Sequence, residues 1–70
     1  MTWPIRYALA LVALGSVPPA SRPDARQVFE IGTAALLGRG LARRAGRVLR
    51  LTKEGERVYT AVLVGWGVSP

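Results

Sequence analysis

Arg43, Arg44, Arg47, Arg50 and Lys53 fall between Leu41 and Lys53 with no carboxylate among them. Guanidinium groups at this density suit one kind of chemistry, the charge-assisted, often bidentate hydrogen bonding of phosphate oxygens and guanine edges. A second, weaker set precedes them: Arg22, Arg26, Gln27 and Thr33, of which Arg26 and Gln27 carry the donors and acceptors for guanine and adenine edges and Arg22 suits phosphate. Both sets are candidates for nucleic-acid binding. A solvated helix face accounts equally well for the second, and Glu30 beside it would be repelled by phosphate.

Catalytic chemistry is poorly provided for. The chain has neither Cys nor His, which removes thiolate nucleophiles, imidazole acid–base catalysis and the usual zinc ligands together. The carboxylates are Asp24, Glu30, Glu54 and Glu56, and none makes a convincing pair: Glu54 and Glu56 would project about 200° apart on one helix. Gly38-x-Gly40 lacks the third glycine and the preceding strand of a dinucleotide fingerprint. The expectation is no enzyme, no cofactor and no metal.

Composition points the same way. Ten Lys and Arg against four Asp and Glu give a net charge of +6 in 70 residues, and nine of the ten are Arg. Arginine's planar fork fits nucleic acid better than it fits mere solubility, although a genome rich in G and C also favours Arg and Ala codons. Seventy residues make one domain, 1–70, with a barely sufficient core.

The elements that would position these side chains can be read in order. Ile5 to Leu14 is apolar nearly all round with Arg6 the only charge. This predicts a helix over about 4–14, capped by Thr2, with Pro4 tolerated in its first turn and most of its surface buried. About ten residues are too few to cross a bilayer, which takes about 20, so no membrane partner is expected and the location expected is cytoplasmic. Arg6, the apolar stretch and the small residues ending Pro18-Pro19-Ala20-Ser21 also resemble a secretory signal, a competing reading weakened by the prolines at the would-be cleavage site.

Prolines at 18, 19 and 23 make 15–23 a loop. A helix over about 24–39 follows, with Val28, Ile31, Ala35 and Leu36 toward the core and Phe29 packed beneath. It is either continuous or broken at Gly32-Thr33, and the continuous form is favoured. Gly40 is its left-handed stop. The basic run is then a hairpin over 41–51, turning at Ala45-Gly46, with Leu49 and Leu51 facing in and Val48 and Arg50 facing out. Thr52 caps a last helix over about 53–64, with Val58, Tyr59, Val62 and Leu63 as its buried stripe. Trp66 could staple the tail to Trp3 or to the core. Left exposed, Trp3, Val62 and Trp66 would form a dimer or partner surface. The fold class is therefore mainly α with a small β-hairpin.

The run Leu36 to Gly55, Leu-Leu-x-Arg-Gly-Leu-x-Arg-Arg-x-Gly-x-x-x-x-Leu-Thr-x-x-Gly, resembles the end of the recognition helix, the wing and the next helix start of winged helix-turn-helix domains. The resemblance implies a winged helix-turn-helix-like fold and double-stranded DNA as partner, in a minimal, phage-like transcription regulator or accessory factor that could work as a homodimer. The chain departs from the pattern between its first helix and the wing. Only one helix fits there, so the family's second helix would be reduced to a turn within Ser16 to Arg22. Winged helices also serve as protein-binding modules, so the alternative is an interaction module or inhibitor whose basic surface meets a larger protein partner that handles nucleic acid.

Overall fold

The computed structural model describes residues 2–65. Its order is α1 (Trp3–Leu14), α2 (Pro23–Gly38), β1 (Ala42–Ala45), β2 (Val48–Leu51) and α3 (Lys53–Gly65). The fold is mainly α with one two-stranded antiparallel hairpin. Within the described residues, no helix is long and apolar enough to cross a membrane.

α1 lays down the core. Ile5, Ala8, Leu9 and Val12, at spacings of three and four, are buried and meet Leu36 of α2 and Leu41 and Ala42 at the entry to the hairpin. The rest of α1 is only partly covered, and Trp3 and Leu14 are exposed at its two ends. The expectation of a helix buried on most of its surface is thus corrected to one buried stripe. Two further helices and a hairpin of four-residue strands do not hold enough chain to wrap it, the surface-to-volume limit of a small domain. Thr2 occupies the cap position in an extended conformation, but its side chain makes no capping hydrogen bond. Pro4 in the first turn supplies the helical φ instead.

α2 is continuous through Gly32, for a packing reason. A Cβ built at Gly32 would collide with the Pro4 carbonyl oxygen and the Ala8 Cβ. Gly32 is buried because α1 passes directly over it. The core face of α2 therefore runs through Phe29, Gly32, Ala35 and Leu36. Ile31, expected inside, is 55% exposed: it lies one residue from Gly32, about 100° around the helix.

Both helix ends close in the same way. Beyond α1, Gly15 (φ 69°) donates to the Val12 carbonyl and Ser16 to that of Leu11. Beyond α2, Gly40 (φ 70°) donates to Leu37 and Leu41 to Leu36. These are paired Schellman closures, with glycine at the left-handed position. The linker holds a single turn, in which the Arg22 N–H donates to the Pro19 carbonyl at 3.0 Å.

The hairpin pairs Ala42 with Leu51, Arg43 with Arg50, Arg44 with Leu49 and Ala45 with Val48. Its two-residue turn is Gly46-Arg47, one position later than Ala45-Gly46. Gly46 has φ 66° and, among the described residues, no non-glycine residue has positive φ. Positive φ at the first central residue alone is the type II′ pattern, and only Gly takes that position cheaply. Leu49 and Leu51 face in, with Val48 and Arg50 outward.

Candidate nucleic-acid interface

The hairpin is fixed to the helices by Thr52. Its hydroxyl accepts the Gly55 N–H at 3.1 Å, the expected cap, and donates to the Gly40 carbonyl at 2.7 Å. The Thr52 N–H donates to the Leu41 carbonyl at 3.0 Å. One residue thus joins the end of α2, the base of the hairpin and the start of α3. Gly55 completes the joint, because any Cβ there would strike the same Leu41 carbonyl. The Leu51-Thr52-x-x-Gly55 spacing places hydroxyl and bare Cα on consecutive sides of one backbone crossing, and this is what aims the hairpin.

On that frame the arginines stand clear. Arg43, Arg44, Arg47 and Arg50 are all exposed, and their guanidinium groups make no ion pair or hydrogen bond within the described residues. Arg43 and Arg50 are cross-strand partners on one face, a like-charge juxtaposition that costs stability unless something anionic meets it. Arg47 sits at the turn, and Arg44 shares the opposite face with Leu49. Lys53 is exposed at the first position of α3.

The α2 set is less uniform. Arg22 precedes the helix and is bound to Asp24, at 3.3 Å to Oδ1 and 3.2 Å to Oδ2. That hydrogen-bonded contact lowers the Asp24 carboxyl below its ordinary value and raises the Arg22 guanidinium. Arg26, Gln27 and Glu30 are exposed. Thr33 is half-buried and its hydroxyl donates to the Glu30 carbonyl at 3.1 Å, so it is turned onto its own helix.

Two adjoining hollows relate the sets. One, of about 530 Å³, lies between the α1 end and β2, with Arg47 and Arg50 at its wall. The other has Arg26, Glu30 and Thr33 at its wall. Val17 and Phe29 belong to both. Phe29 packs partly against the core, as expected.

Of the candidate partner surface, Trp3 and Val62 are among the described residues. Trp3 is 62% exposed and stacks on Tyr7 with ring centroids 5.1 Å apart. Val62 instead packs against the core with Val58 and Tyr59, since it lies on the inward stripe of α3. Trp66 lies outside the described residues. Sequence reasoning missed the tight crossing at Gly32 and the apolar rim of the first hollow. Exposed Leu14 and Val17 flanking Gly15 were the available signal for the rim. Comparison with known protein-family models, curated proteins and solved structures finds no match.

Proposed function

We propose that this chain is a small, non-catalytic double-stranded DNA-binding protein of winged helix-turn-helix type, a transcription regulator or accessory factor working in the cytoplasm. In this reading α1 is the first helix, the Pro19–Arg22 turn stands for the second, α2 is the recognition helix and the hairpin is the wing. Four exposed, partnerless wing arginines on a rigidly joined hairpin carry it. With Arg43 and Arg50 on one face, Arg44 on the other and Arg47 at the turn, they leave the hairpin positive and without an ion pair among the described residues, and phosphate is the partner that forked cations fit best. Arg26 and Gln27 on α2 approach base edges, while Arg22, already paired to Asp24, contributes a weaker phosphate contact.

Such an interface draws its affinity from counterion release. With about five phosphates neutralised, log affinity falls against log salt with a slope near −4 to −5. A monomer of this size has few base-reading side chains, so sequence specificity calls for a dimer on paired half-sites. The test is fluorescence anisotropy against a labelled random duplex at about 50 and about 200 mM salt. Micromolar binding that weakens at least about tenfold between them is expected; absence of binding at the lower salt removes the DNA reading.

A further inference from the structure

Among the described residues the sheet has two strands and β2 has no neighbour on its second edge. In a hairpin closed by two residues the flanking pair, here Ala45 and Val48, exchanges both hydrogen bonds, and the pairs alternate from there. The N–H and C=O of Leu49 therefore point away from β1, and they make no other backbone hydrogen bond among the described residues. Leu49, with Val48 and Arg50 on either side of it, lines the hollow of about 530 Å³ whose other wall runs from Val12 to Val17 and which Phe29 also lines. Three large apolar side chains that are mostly exposed, Leu14 (69%), Val17 (74%) and Val48 (56%), gather at this one place. Arg47 and Arg50 line it and no carboxylate does; the adjoining hollow adds Arg26 and Glu30.

We infer that the groove between β2 and the Leu14–Val17 segment receives an extended acidic peptide segment of a partner protein, which adds to β2 as a third strand. Edge amides supply the register, the apolar rim takes every second side chain, and Arg47 and Arg50 take carboxylates between them. The four residues of β2 span about 13 Å at ~3.3 Å each, enough for a short strand. A second copy of this chain fits poorly, because edge-to-edge pairing would bring Arg47 and Arg50 of both copies together between two molecules of charge +6. Single-stranded nucleic acid fits poorly too, since binding of that kind rests on a run of stacking aromatics and, among the described residues, Phe29 is the one aromatic at the groove. The inference shares Arg47 and Arg50 with the duplex-DNA reading but not the edge amides or the apolar rim, so loss of duplex binding leaves the peptide test standing.

The test is anisotropy of the intact chain with fluorescein-labelled peptides of about ten residues, alternating Val with Glu or Val with Lys, and a Val/Glu peptide N-methylated at alternate amides. Expected are micromolar binding of the Val/Glu peptide, no measurable binding of the Val/Lys peptide and at least about tenfold loss on N-methylation. V17D/V48D should weaken Val/Glu binding by about tenfold, and R47E/R50E should reverse the preference toward Val/Lys. Should a variant fail to fold, the methylated peptide decides, because it leaves the protein unchanged. Equal binding of methylated and unmethylated peptides, tighter binding of labelled oligothymidine that competes with the peptide, or a dimer in sedimentation that excludes the peptide each overturns the inference.

Discussion

On α2, Arg22 is satisfied by Asp24, and the exposed face mixes Arg26 and Gln27 with Glu30 and Ile31. On the hairpin, Arg43, Arg44, Arg47 and Arg50 stand on strands and turn with no anionic side chain bound to them. The two regions are nevertheless anchored alike, each through a glycine pressed against a carbonyl: Gly32 against Pro4, Gly55 against Leu41. The difference teaches that rigidity is common to both while charge is distributed for different ends. The helix settles part of its charge internally, through Arg22 and Asp24; the hairpin arginines have no ion pair among the described residues.

The anchors give the largest effects. Gly32→Ala and Gly55→Ala should each lower the free energy of unfolding by about 1–3 kcal/mol, since backbone and not a flexible side chain must give way. Urea denaturation measures it. A neutral Gly55→Ala would break the claim that the wing is held as firmly as the helix. Next comes the charge contrast itself: R44A/R47A should flatten the salt slope of duplex binding by roughly two units, with little change in unfolding midpoint because the replaced groups are exposed and unpaired.

Thr52→Val should cost about 1 kcal/mol by removing the cap to Gly55 together with the bond to Gly40. It should also loosen the hairpin relative to α2, read as faster amide exchange at Leu51 and Gly55 with α1 unaffected. The smallest effect belongs to Asp24. Its carboxyl is held below the ordinary value of 3.8 by the Arg22 hydrogen bond and by the Ala25 backbone amide. A depressed folded-state pKa stabilises above the unfolded value and loses that contribution as pH falls through the folded one. An NMR titration of Asp24 should therefore show a midpoint below 3.8 that returns toward it in R22A, while the wing resonances stay unchanged.

The sequence made the joint around Thr52 legible, because Leu51-Thr52-x-x-Gly55 is local and its cap geometry depends on neighbours in the chain. Gly40 was legible for the same reason. Periodicity placed the three helices within a residue or so of their observed ends. What escaped was decided across elements. Ile31 reads as core by spacing, and only the crossing of α1 at Gly32 turns it out. The hairpin turn slipped by one because Gly46 can serve as either central residue, and the pairing of Ala45 with Val48 decides. The groove beside β2 was invisible, since its walls come from three separate stretches. For the candidate interface, residue types identified the exposed arginines, and Asp24 two positions after Arg22, against no carboxylate between Leu41 and Lys53, was the local sign that Arg22 is paired where, among the described residues, Arg47 is not.

The central claim is that the wing, more than α2, carries the contact with DNA. The most direct measurement compares salt slopes for the parent chain, R44A/R47A and R22A/R26A on one labelled duplex between about 50 and about 200 mM salt. The expected result is a loss of roughly two units for the wing variant and at most about one for the helix variant, whose Arg22 is already engaged by Asp24. Equal losses, or an unchanged slope in R44A/R47A, would contradict it and take the wing off the DNA surface.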